Sequence, residues 1–248
     1  MSIDQIVARE KDFHNRRFAD GHDNRHDQEK YYSAIGNCAR DFEDEVRACA
    51  RDGVVLDYGC ANGWSSFRIC DVARHVHGVD ISDEAIATAR ARAAANGITN
   101  VDFQVGDAHA LPFADGTFDV VFGSGIIHHL DTERAFREIE RVLKPGGRAV
   151  FREPLGINPA IRVYRALTPS ARSVDEHPLL QSDFTLAAGI FSGVKNRFYG
   201  LTTLVAVPLQ RYAAGRRLMP VMERLDRWLL SIPMLRWHAW YVVSTFTR

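Results

Sequence analysis

The sequence has no surplus of either charge: 31 Lys and Arg balance 31 Asp and Glu over 248 residues. Nothing draws the chain as a whole onto a phosphate backbone, so nucleic acid is not the expected partner. Cysteine is scarce. Cys38, Cys49, Cys60 and Cys70 stand ten or eleven residues apart, and no CxxC pair suits zinc or a redox dithiol. They read as structural thiols, which makes a reducing cytoplasm the expected compartment. Long apolar runs are missing too. The most apolar late stretch, 201–209, contains Pro208 and falls far short of the roughly 20 residues a spanning helix needs. The first residues are studded with charge (Arg9, Glu10, Lys11, Asp12, Arg16, Arg17) and hold no apolar core of a signal peptide. Proline is sparse but uneven, with Pro154, Pro159, Pro169 and Pro178 gathered in one stretch.

What is present is an alternation. From Gly53 onward short β-branched runs alternate with longer helical ones, the signature of βαβ units and a mostly parallel sheet. Strands are expected at 54–57, 75–79, 101–105, 118–122 and 148–151, and again near 194–199 and 239–246. A helix over about 64–73 follows the first strand. Ser82 is the expected N-cap of the next helix, with Asp83 and Glu84 in its first turn and Asn96-Gly97 as its stop. A further helix covers about 132–142, ended by Lys144, Pro145, Gly146 and Gly147. The organisation expected is a helical cap over 1–50, an α/β core over 51–153, a proline-rich insertion over 154–180, and the rest of the sheet over 181–248. A helical insertion at about 201–236 interrupts that last part. In it Leu218, Met222, Leu225 and Leu229 recur at helical spacing, with Glu223, Arg224, Asp226 and Arg227 expected on the solvent face.

The chemistry gathers at strand ends. The turn after the first strand reads Asp57, Tyr58, Gly59, Cys60, Ala61, Asn62, Gly63, where small residues let a backbone approach a ligand closely. Asp80 comes 23 residues after Asp57, about where a carboxylate takes the two hydroxyls of a ribose. Gly63 follows Gly59 by four residues, so the dinucleotide pattern GxGxxG is absent, as is the phosphate loop GxxxxGK. A carboxylate in the turn suits a cationic amino-acid group better than a pyrophosphate. The ligand expected is a nucleoside carrying positive charge.

The segments LDYGCANG (56–63), HGVDIS (77–82), VGDAHALPFADGTFDVVFGSGIIHHL (105–130) and RVLKPGGRAVF (141–151) resemble the class I S-adenosylmethionine-dependent methyltransferases. The resemblance implies a doubly wound, mostly parallel seven-stranded sheet with an antiparallel edge strand, and S-adenosylmethionine as cofactor. It also implies site roles. Gly59 and Gly63 line the methionine portion, Asp80 takes the ribose hydroxyls, and Ile81 packs on the adenine. Asp107 accepts from the adenine amino group, the Ala108 amide donates to the ring, and Ser124 lies beside the methionyl end. The family usually has glycine where Ala61 stands.

Methyl transfer from a sulfonium is a one-step displacement that needs alignment and exclusion of water, and no metal is required. A hydroxyl or amine acceptor that must lose a proton gains from a nearby base. The candidates are His128 and His129 after the fourth strand, Glu153 at the end of the fifth, and His177 beside Asp175 and Glu176. Tyr31, Tyr32 and Trp64 are candidate lid aromatics. The expected activity is methylation of a small molecule, with a hydroxyl of a specialised metabolite, sugar or lipid-like compound as the acceptor. A cofactor-binding regulator without catalysis and a nicotinamide-dependent oxidoreductase are the competing readings. The basic, aromatic late region (Arg211, Arg216, Arg217, Trp228, Trp237, Trp240) is read as a packing or homodimer surface, with peripheral membrane or lipophilic contact as the sharper alternative.

Overall fold

A computed structural model describes residues 3–19, 35–168, 173, 176–206 and 212–248; Tyr31, Tyr32, Pro169, Asp175, Pro208 and Arg211 lie outside the described residues. The β-branched and aromatic runs form β1 (Val54–Tyr58), β2 (His75–Asp80), β3 (Val101–Val105), β4 (Phe118–Ser124), β5 (Leu143–Pro154), β6 (Gly193–Tyr199) and β7 (Tyr241–Thr247). They make one seven-stranded sheet in the order β3-β2-β1-β4-β5-β7-β6. All pairings from β3 through β5 are parallel, and β7 runs antiparallel to both β5 and β6. This is the doubly wound, mostly parallel sheet expected, with the reversed strand seated beside the outermost β6. The chain winds from central β1 out to β3 and then crosses back to β4, and at such a switch the strand ends open a crevice.

The helices are α1 (Ile3–Ala19), α2 (Gly36–Ala50), α3 (Trp64–Ile69), α4 (Asp83–Ala95), α5 (Thr132–Val142), α6 (Pro159–Leu167), α7 (Gln181–Ile190), α8 (Thr203–Ala206) and α9 (Ala213–Leu229). Neighbouring strand residues feed opposite faces of the sheet, as their period of two requires. Leu56, Val121, Phe151 and Phe246 join one buried cluster with Phe136 and Ile139 of α5 and Phe184 of α7. Val55, Val120, Val150 and Val243 join the other, with Phe42 and Val46 of α2 and Ile86 and Ala89 of α4. Ser82 caps α4 as expected, its hydroxyl accepting from the Ala85 amide at 3.2 Å.

Three local expectations are corrected. The helix expected to reach Ala73 stops at Ile69, because the Asn100 side-chain amide donates to the carbonyls of Cys70 (2.8 Å) and Ala73 (3.3 Å) and holds that stretch as a turn. The Lys144–Gly147 segment does not separate α5 from the fifth strand: Leu143 already pairs with Phe118, and β5 runs through an irregularity before regular pairing resumes at Arg148. In α9, Asp226 faces inward and Leu225 faces solvent, the reverse of the pattern expected. The cause is local. Asp226 accepts from the amides of Leu201 (3.0 Å) and Thr202 (2.6 Å) and from the Thr203 hydroxyl (2.9 Å), satisfying the free donors that lead into α8.

Candidate active site

The β1–α3 turn is shaped by conformations that side chains resist. Gly59 has φ +76°, and a Cβ there would stand 2.8 Å from Ile126 Cγ1. Ala61 is also left-handed, with φ +47°, which accounts for the glycine usual at this place in the family it resembles. Its amide donates to Asp80 Oδ2 at 2.8 Å, while Asp80 Oδ1 accepts from the Ser82 amide at 2.9 Å. Asp80 therefore ties the β1 turn to the start of α4 and keeps lone pairs for a ligand. Beside it, Asp107 Oδ1 accepts from the His109 amide (2.8 Å) and faces His109 Nδ1 at 2.9 Å. The Asp131 amide donates to His109 Nε2 (3.0 Å), so the His109 proton sits on Nδ1 and points at Asp107. That hydrogen bond outweighs burial and holds the Asp107 carboxyl below its ordinary range. The Tyr58 hydroxyl donates to the Ala108 carbonyl at 2.7 Å, and burial pushes the phenol well up, so it stays a donor.

These groups surround one cavity of about 420 Å³. Its walls include Gly59, Ala61, Asp80, Ile81, Asp107, Ala108 and Ser124, together with Tyr58, Trp64, His109 and His129. Val7, Glu10 and His14 of α1 close the other side. α1 is fastened there by Lys11 to Asp83 (2.8 Å) and by the Ser82 hydroxyl donating to Asn15 Oδ1 (2.7 Å).

Two expected cofactor residues do not reach the wall. Gly63 packs under the turn, where a Cβ would lie 2.8 Å from Phe103 Cζ. Asp57 is buried and accepts from the Ser66 hydroxyl at 2.6 Å; burial, against that hydrogen bond, pushes its carboxyl up to about 7. The four base candidates also separate. Only His129 lines the cavity. Glu153 is a buried brace: Oε1 accepts from the amides of Ile126 (2.9 Å) and Ile127 (3.0 Å), and Oε2 stands 2.7 Å from His128 Nδ1. Burial pulls the His128 imidazole down despite Glu153, so the neutral ring donates to it. The amide of His177 donates to the His128 carbonyl (2.8 Å), which anchors the insertion and leaves the side chain off the wall.

Glu10, His14 and His109 were not singled out by the sequence reading. The signal for the first two was a Glu and a His four residues apart, on one face of a helix. His109 sits inside a motif whose flanking residues drew the attention.

Residues 55–147 match the family model of a methyltransferase domain. The α/β core is a methyltransferase domain. Relatives of this domain include a probable S-adenosylmethionine-dependent methyltransferase of Mycolicibacterium smegmatis, 39% identical over 102 residues that make up 41% of this chain and 37% of that protein. Ajmaline N-methyltransferase of Rauvolfia serpentina is 33% identical over 142 residues, 55% of this chain and 45% of that protein. The chain thus spans under half the length of the curated relatives it matches. The crystal structure of YcgJ from Bacillus subtilis shares the fold, with a TM-score of 0.60 at 19% identity over 84% of this chain and 98% of that one. S-adenosylmethionine is the methyl donor of this class, and the crevice of the domain is the cavity described above.

Proposed function

We propose that the whole chain transfers a methyl group from S-adenosylmethionine to a small molecule, and that the accepting atom is a hydroxyl oxygen of a specialised metabolite, sugar or lipid-like compound. The observation that carries this reading is the single cavity whose floor holds Gly59, Asp80, Asp107 and Ser124 and whose roof holds His129 beside Glu10 and His14. The floor suits the cofactor. Asp80 offers its remaining lone pairs to the ribose, Asp107 and the Ala108 amide face the adenine, and Asp57 and Gly63 support the turn from beneath. The roof suits an acceptor that must lose a proton, because imidazole and carboxylate groups meet there. The 154–180 stretch acts as the acceptor cap, supported by Ser173 Oγ at 3.4 Å from His129 Nδ1 and Glu176 Oε1 at 3.7 Å from His128 Nε2. An exposed stripe of Val221, Leu225, Trp228 and Ile232 on and after α9 supports contact with a lipophilic acceptor, a membrane surface or a second copy. Among the described residues no helix is long and apolar enough to cross a membrane.

Calorimetry with S-adenosylmethionine, S-adenosylhomocysteine and NADH tests the cofactor, and labelled methyl transfer to a panel of hydroxyl and amine acceptors tests the reaction. The first two ligands bind and NADH does not. Asp80→Asn keeps one acceptor oxygen and loses the charge; it weakens S-adenosylhomocysteine at least about tenfold, since charge-assisted hydrogen bonds are worth about 1.5–3 kcal/mol. Affinity for NADH alone overturns the reading. Binding without transfer to any acceptor makes the chain a cofactor-binding regulator or subunit, and transfer confined to amines moves the accepting atom to nitrogen.

A further inference from the structure

Glu10 is 7% exposed. Among the described residues neither of its carboxylate oxygens makes a hydrogen bond of acceptable geometry. A buried carboxylate left so is costly, and native structures keep one only where something compensates it. The neighbours are two imidazoles. His14 Nε2 lies 3.5 Å and His129 Nδ1 3.3 Å from the same oxygen, Oε2, and the two rings meet edge to face with centroids 5.6 Å apart. One ligating atom from each residue falls within 4.8 Å of the other two.

These separations are long for hydrogen bonds and right for something else. Donors held about 2.0–2.1 Å from a tetrahedral ion stand about 3.3–3.4 Å from one another. Two imidazoles and one carboxylate, with a fourth position free, make a donor set that zinc accepts. His128 stands outside this set: its Nδ1 faces Glu153 at 2.7 Å, and its Nε2 faces Glu176 at 3.7 Å in a second group that shares His129. Ser173 Oγ, 3.4 Å from the same His129 nitrogen, adds an oxygen beside the set.

We propose that Glu10, His14 and His129 are the protein ligands of a zinc-class divalent ion on the roof of the cavity, with the fourth position left to the acceptor hydroxyl. Glu10 supplies the negative charge, and the two histidines bind as neutral imidazoles. The role of the ion rests on the methyltransferase reading, whereas the ligand set does not. The sulfonium needs no metal, so the ion serves the acceptor. Bound to it, the hydroxyl releases its proton to solvent at lower pH. Its oxygen then forms the C–O bond as the C–S bond breaks, and the sulfonium leaves as a neutral thioether.

The full chain, stripped with a chelator and desalted, is titrated with zinc chloride by calorimetry and with cobalt chloride by visible spectroscopy. One zinc binds per chain, and cobalt gives the intense visible band of a four-coordinate site. His14→Ala and Glu10→Gln each weaken zinc at least about tenfold. His75→Ala, which breaks the separate His75, His77 and Asp102 group, leaves zinc affinity unchanged. Absence of zinc binding, equal affinity in the first two variants, or loss in the third overturns the proposal. If either roof variant fails to fold by circular dichroism, the cobalt spectrum decides, a weak six-coordinate band counting against the site. S-adenosylhomocysteine binding to the metal-free parent is read separately. Its absence overturns the cofactor reading and leaves the metal result standing.

Discussion

On the floor of the cavity Asp80 already accepts two backbone amides and Asp107 is bonded to both the amide and the ring of His109. On the roof Glu10 is more deeply enclosed than either, and has two imidazoles at 3.3 and 3.5 Å and no well-formed hydrogen bond among the described residues. Both regions use carboxylate and histidine. The floor's groups are held in place by local backbone, so its geometry exists before any ligand arrives, which is what a cofactor common to many enzymes needs. The roof's groups come from α1 and from the turn after β4, segments far apart in the chain, and what they hold is left for a ligand to complete. Burial pushes the Glu10 carboxyl up, but the facing imidazoles of His129 and His14 and the nearby Ser173 hydroxyl outweigh it and hold the group below its ordinary range.

The comparison breaks first at Glu153, the brace that carries the floor's precision to the turn bearing His129. Glu153→Ala strands two amides and one imidazole, and should cost about 3–5 kcal/mol. Thermal unfolding should show a fall of about 10 °C for a chain of this size. A loss under about 1 kcal/mol would mean that the roof is positioned by the insertion instead.

Asp57 sharpens the picture of the floor. Its folded pKa of about 7 lies above the ordinary aspartate value, so the folded state holds the proton more tightly than the unfolded one. The parent therefore loses stability as pH rises from about 4 through about 7, and the penalty is complete above that. Asp57→Asn has no such dependence and can still accept from Ser66. Its melting temperature relative to the parent should rise by several degrees between pH 5 and pH 8, at about 2–4 °C per kcal/mol. An offset constant with pH would show that Asp57 stays ionised.

The smallest effect is at Ala61. Its left-handed backbone strains a side chain, so Ala61→Gly should stabilise by about 0.5–1 kcal/mol, the relief being partly offset by the entropy of glycine. A destabilised variant would mean that the Ala61 methyl packs usefully in the turn.

The strands and the floor were legible because their determinants are local. A glycine at positive φ, an acidic residue ending a strand and a serine before Asp-Glu each act within a few residues of where they stand. Asp226 was misread for the opposite reason. The helical period puts it among charged neighbours, and only the approach of the chain before α8 gives it five donors to accept. Glu153 and His128 were read as candidate catalysts because their residue types can move protons. Their contacts turn them into structure: a carboxylate with two amides and an imidazole has no lone pair aimed at the cavity.

The sequence by itself determined the succession of strands along the chain and their mostly parallel α/β class, since period and turn chemistry specify those. The seven-stranded doubly wound form and most of the cofactor-side residues were implied by the resemblance its motifs carry. Which of four candidate bases faces the cavity, and that Glu10 and His14 meet His129 across it, was decided only by the tertiary structure. Residues 10 and 129 are joined by no local rule, and packing α1 over the switch point is what brings a buried carboxylate within 3.3 Å of that imidazole.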